Sequence, residues 1–166
     1  MPLIRNGRII EDPYLRAVDG APIPEGAAVL VPAERLLADF DALAARAGAL
    51  GVIWPNGRNI VELAPFLGRL ALVALVFPNF RDGRAYSQAR ILRERLRFPG
   101  ELRATGEVLR DQLLFLQRVG FDAFEVAKPR DALAFTDSIA RYSVFYQPAT
   151  DRRAPALRQR AAALAG

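Results

Sequence analysis

The sequence predicts an α/β fold: a mainly parallel sheet of repeated βα units preceded by a short N-terminal β-hairpin. Three observations carry that reading. Short apolar runs alternate with stretches whose apolar residues recur at three- and four-residue spacing, and the pattern returns four or five times at intervals of about 20–30 residues. The longest apolar run, Leu70–Phe77, is apolar on both faces, as a strand covered on two sides must be. Near the start, Leu3–Arg5 and Arg8–Ile10 flank Asn6-Gly7, the two-residue turn that closes an antiparallel hairpin. Right-handed crossovers between such units leave two architectures open, a partial TIM-barrel-like layer and an open Rossmann-like sheet. The units are too few for a closed eightfold barrel.

After the hairpin, residues 11–26 carry Pro13, Pro22 and Pro24 and read as an extended loop. Ala28–Val31 is a short strand stopped by Pro32. Leu36, Leu37, Phe40, Leu43, Ala44 and Ala47 form an apolar stripe that predicts one helix over 33–47, with Gly48 as its left-handed cap. Val52–Trp54 is a strand. Residues 59–69 form a helix with Asn59 as N-cap and Pro65 as an interruption. Leu70–Phe77 is followed by a helix over 84–97, a strand over 101–105 and a helix over 107–119, which Gly120 ends. A strand over 123–127, a helix over 131–142 and a last strand over Ser143–Gln147 complete a single domain of residues 1–148. Residues 149–166, rich in Ala and Arg, read as a flexible or weakly helical tail.

Composition narrows the chemistry. There is no Cys and no His, which removes disulfides, thiolate metal sites, protein-held iron–sulfur clusters, the Ser-His-Asp triad and most zinc or haem ligation. No metal site is expected. Acid–base work would fall to Asp, Glu, Tyr or the single lysine, Lys128. The formal charge is +5, and nearly all the cations are arginine, whose planar fork suits carboxylates and oxyanions. No apolar run approaches the roughly 18–20 residues of a membrane span, and the N-terminus lacks the layout of a signal peptide. The expected compartment is the cytoplasm, with no membrane partner.

Two regions invite a functional reading. Parallel sheets bind ligands at the carboxyl ends of their strands, where the following helices point free amides. There the sequence places Arg81, Arg84, Ser87, Arg103, Thr105, Gly106 and Arg110 as candidate anion-binding residues. Asp82 and Glu125 are the candidate catalytic carboxylates. Asp82, Thr105 and Gly106 equally fit a purely capping role, and Glu125 on a strand fits a buried pair with Arg103 of the neighbouring strand. The second region is the helix over 84–97. Residues 81–103 hold seven arginines against three carboxylates, and Arg90, Arg93 and Arg97 fall on one helix face. That face is either solvated or a docking patch for an acidic protein. Nucleic acid is not expected, since no recognised binding motif is present. No P-loop and no GxGxxG is found, so no cofactor is evident, although a flavin or nicotinamide stays compatible with the fold.

The stretches FRDGRAYSQARILRER (80–95) and GELRATGEVLRDQLLFLQRVGFDAFEV (100–126), with the opening MPLIRNGRIIEDPY and the closing YSVFYQPA, resemble the DUF934 family over about residues 1–150. The resemblance implies a role in assimilatory sulfite reduction, and so in sulfate assimilation and cysteine biosynthesis. Members of the family are often labelled as oxidoreductases of sulfite reduction; with no Cys and no His, this chain is expected to be an accessory to that oxidoreductase. The partners it suggests are the sulfite reductase haemoprotein and an acidic ferredoxin or flavodoxin; a homo-oligomer is compatible. The alternative is a small oxidoreductase-like α/β enzyme that binds an anionic metabolite at the strand ends.

Overall fold

The computed structural model describes residues 1–18, 20–131, 135, 142–151 and 153–164. Eight strands form one curled half-barrel sheet: β1 (Leu3–Arg5), β2 (Arg8–Ile10), β3 (Leu15–Arg16), β4 (Val29–Pro32), β5 (Leu50–Trp54), β6 (Leu70–Phe77), β7 (Glu101–Gly106) and β8 (Ala123–Glu125). Their spatial order is β2-β1-β8-β7-β6-β5-β4-β3. From β3 to β8 all neighbours are parallel and follow chain order. A sheet wound in one direction by right-handed crossovers puts its connecting helices on one face, which decides for the partial barrel over the doubly wound sheet.

The hairpin forms as its turn dictates. Asn6 and Gly7 both have positive φ (52° and 74°), the geometry that matches strand twist in a two-residue turn. β1 then pairs antiparallel with β8, Leu3 opposite Glu125 and Arg5 opposite Ala123. This pairing corrects the expected last strand. Residues 143–147 are not a strand, because the edge of β8 where a following strand would add is taken by β1. The helix expected over 131–142 lies mostly outside the described residues.

Alternate residues of the strands face the helices. Val29, Val31, Val52, Trp54, Val73, Leu75, Phe77, Leu102, Ala104 and Phe124 pack there in one buried cluster. The helices α1 (Ala33–Ala38), α2 (Phe40–Ala44), α3 (Arg84–Arg90) and α4 (Leu113–Arg118) contribute Leu36, Leu43, Ala85, Ala89, Leu113 and Leu116 to it. Each fully buried Leu or Val is worth roughly 1.5–3 kcal/mol. On the opposite, concave face a smaller cluster of Leu30, Leu72 and Ala74 is packed by Tyr14 and Ile53.

The helices are shorter and more broken than the stripes predict. The span 33–47 divides at Asp39, whose φ of −119° leaves the helical range. Gly48 is not a left-handed cap: it is glycine because a Cβ there would lie 2.1 Å from the Ala27 carbonyl oxygen. Ile60–Phe66 is a 3₁₀ helix, with Asn59 Oδ1 accepting from the Val61 amide at 3.1 Å; Pro65 has no N–H to donate to an α-helical ladder. α3 widens into a π-helical turn, Ile91–Arg95, and α4 is preceded by a 3₁₀ turn, Arg110–Gln112. β3, two residues long, lies within the stretch that its prolines mark as loop. At the C-terminus, α5 (Ala156–Leu164) buries no residue. Among the described residues no helix is long and apolar enough to cross a membrane.

Candidate functional site

Several of the arginines that give the chain its charge work as internal braces. Arg69 donates to the carbonyl oxygens of Ala44, Arg46 and Gly48 at 2.9, 2.5 and 3.1 Å, closing the end of α2. Arg46 in turn holds Ile23, Pro24 and Ala27, and Arg35 holds Val18 and Ala21. Each guanidinium ties together carbonyls of a helix end or an irregular loop that lie outside the regular backbone ladders.

Arg93 belongs to the same class, which corrects its expected place on an open face. It donates to the carbonyls of Phe98, Gly100 and Gly120 and to the Asp122 carboxylate. The π turn alters the angular spacing that an α-helix would have given Arg90, Arg93 and Arg97. Arg90 remains exposed and pairs with Glu94 at 2.9 Å; Arg97 is exposed with a φ of +52°. Arg95 and Arg97 make no ion pair with a described residue. Beside them run two grooves. One, of about 450 Å³, lies between Tyr86, Arg90, Phe115, Arg118 and Pro148. The other, of about 750 Å³, lies between Arg93, Arg97, Gln117 and Asp151.

The strand-end turns are largely closed by their own side chains. Arg84 forks onto Asp82, with Nε 3.0 Å from Oδ1 and Nη2 2.6 Å from Oδ2, while Oδ1 also accepts the Arg84 amide. These hydrogen bonds hold the Asp82 carboxyl well below the usual carboxylate range. The Phe80 amide donates to Glu107 and the Arg81 amide to Asn79. Gln112 donates to the Phe80 carbonyl. Arg81 lies over the Phe80 ring, Arg110 pairs loosely with Asp111 at 3.8 Å, and Ser87 is exposed on α3. Gly106 has a φ of +93°, and a Cβ there would lie 2.3 Å from the Phe77 carbonyl oxygen.

Arg103 and Thr105 do not join that edge. Their period-two spacing on β7 turns both onto the concave face, where they meet Glu125 of β8. Arg103 is fully buried. Its Nε donates to Glu101 Oε1 at 3.0 Å, and its Nη1 donates to Asp12 Oδ2 at 2.7 Å and Glu125 Oε1 at 3.4 Å. Thr105 Oγ1 donates to Glu125 Oε2 at 2.7 Å. Arg16 Nη2 reaches both oxygens of Glu125 at 2.5 Å, and Arg5 reaches Glu101 at 3.2 Å. Three guanidinium groups thus face three carboxylates.

Burial pulls the pKa of Arg103 down, but the hydrogen bond to Asp12 and the charge of Glu101 outweigh it and the net shift is upward. The Tyr14 ring lies 5.6 Å from the Arg103 guanidinium; burial first, then Glu101, raises its hydroxyl pKa. The Arg103–Glu125 pair is the one the sequence suggested. Asp12, Tyr14 and Arg16 were not foreseen. Their i, i+2, i+4 spacing in the extended loop is the signal that places them on one side of a strand-like segment.

A profile of the family described as bacterial protein of unknown function, DUF934, matches residues 51–157. The chain belongs to the DUF934 family. The match takes in β5 to β8 and all of the grooves' arginines, and leaves out the hairpin and the 11–18 segment that this DUF934 member lays over its concave face. Among curated proteins nothing matches.

Proposed function

We propose that this DUF934 member is an accessory protein of assimilatory sulfite reduction, and so of sulfate assimilation and cysteine supply in the cytoplasm. It docks on the sulfite reductase haemoprotein or on the acidic ferredoxin or flavodoxin that feeds it, and carries out no redox step of its own. The observation that carries the reading is the division of labour among its cations. Arg84 at a strand end and Arg5, Arg16 and Arg103 on the concave face are paired with carboxylates of the chain, whereas Arg90, Arg95 and Arg97 stand exposed on the α3 face, where among the described residues Glu94, on Arg90, is the only carboxylate paired with any of the three. A sequence without Cys or His supports a protein that delivers a partner rather than one that holds a haem or cluster by thiolate or imidazole. Surface charge of this kind raises association rates and fixes orientation, and it weakens as salt rises.

Sulfite reductase turnover measured with each carrier, with and without the protein, tests the proposal. The expected result is faster turnover at low ionic strength, lost when Arg90 and Arg97 are both replaced by glutamate in a variant that melts as the wild type does. Equal turnover in all samples, with no reductase or carrier recovered on the tagged protein from sulfur-starved cells, would sink it.

A further inference from the structure

We propose that the Asp12 carboxylate occupies a binding site for a small monoanionic carboxylate or other oxyanion, built by Arg103 against the concave floor and covered by residues 11–14. The site is separate from the α3 face, so its failure leaves the docking proposal untouched, and the reverse.

Four observations support the assignment. Arg103 is fully buried, yet its Nη2 has no hydrogen-bond acceptor: Glu101 Oε1 stands 3.0 Å away without the required alignment. Asp12 does not use the guanidinium fork, because its Oδ2 accepts from Nη1 while its Oδ1 is turned to the Tyr14 amide at 3.1 Å. A free anion with two available oxygens takes Nη1 and Nη2 together, the stronger two-pronged arrangement. The cover is lightly held. β3 is two residues long with both side chains exposed and pairs only with β4, to which the segment is bonded by Leu15 to Ala28 and Ala17 to Leu30 among others. Finally, the floor of Leu30, Leu72 and Ala74 is apolar, which strengthens an ion pair formed above it.

Exchange of Asp12 for a free anion leaves the charge of the cluster unchanged, since Arg16 stays on Glu125 and Glu101 keeps Arg5. Only residues 11–14 need to lift, with the Tyr14 ring moving off Arg103. The site then opens on the concave face above Arg103, between Glu101 and Glu125.

Hydrogen exchange across residues 11–18 and the melting temperature, each read with sodium acetate or sodium formate against chloride at fixed ionic strength, test the proposal. At least one of these anions is expected to speed exchange at 11–14 and raise the melting temperature of the wild type. Asp12→Asn, which removes the competing charge while keeping the side chain's shape, binds the same anion about tenfold more tightly. Arg103→Lys keeps the charge, loses the fork and loses the effect; the comparison of wild type with Asp12→Asn stands alone if Arg103→Lys does not fold. No anion effect on either protein overturns the proposal, and so does an anion effect that a folded Arg103→Lys retains.

Discussion

Glu125 shows how much a single buried carboxylate organises. It accepts from Arg16, Arg103 and Thr105, and so joins the 11–18 segment to the concave face of β7. Replacing it with glutamine leaves Arg103 and Arg16 short of charge, so Glu125→Gln is expected to lose about 3 kcal/mol in urea unfolding. Its pairing with Arg103 was legible, because a charged residue in the middle of an apolar strand demands a partner and the neighbouring strand offers one. The contribution of Asp12 and Arg16 was not, since nothing in residues 11–18 says which way an extended loop will fold back. Two other residues tie stability to pH. The Tyr86 hydroxyl, pushed up to about 12 by burial, is favoured in its neutral form by the fold. Its contribution is present below pH 10, the unfolded value, and is lost as pH rises from 10 to 12; Tyr86→Phe is expected to flatten that part of a stability–pH curve. Asp82 runs the other way. Its lowered pKa gives a contribution present above about pH 4 and lost as pH falls further, and Arg84→Gln should return its NMR titration midpoint to the ordinary aspartate range.

At the scale of the element, the helices against the sheet combine an apolar stripe with ends that distant side chains hold, as Arg69 holds the end of α2. The stripes found the centre of each buried face, with Leu36 and Leu43, Ala85 and Ala89, Leu113 and Leu116 against the sheet, but also counted Ala47, which is exposed. They overstated length, because periodicity does not register a break such as Asp39 or a π turn such as Ile91–Arg95. Side-chain braces compensate for the short helices, and they are invisible to periodicity since their acceptors are distant carbonyls. Arg69→Ala removes donors to three carbonyls at once and is expected to lower stability by roughly 2–3 kcal/mol by thermal or urea unfolding. Gly106→Ala, at a positive φ and against the Phe77 carbonyl, is expected to cost at least about 2 kcal/mol by the same measurement. The capping motif at Gly120 was readable, and its φ of +104° bears it out.

Across the whole molecule, the repeated βα pattern fixed the class and direction of the sheet, but not which way it would wind, because identical units build both a half-barrel and a doubly wound sheet. The position of the hairpin was equally hidden: a turn motif specifies its two strands and not the strand they join. Here they join β8, so the first strand made is separated from its partner by about 120 residues of chain. A ribosome adding roughly 5–20 residues per second leaves that strand waiting about 6–24 s. The units from β4 to β7 can form in the order of synthesis, each on the edge of the last. The hairpin, the Arg103–Glu125 cluster and Arg16's hold on Glu125 can be completed only after residue 125 has emerged. Nascent chains arrested before that point are therefore expected to lose residues 1–16 to protease, while chains arrested beyond the end of the sheet keep them.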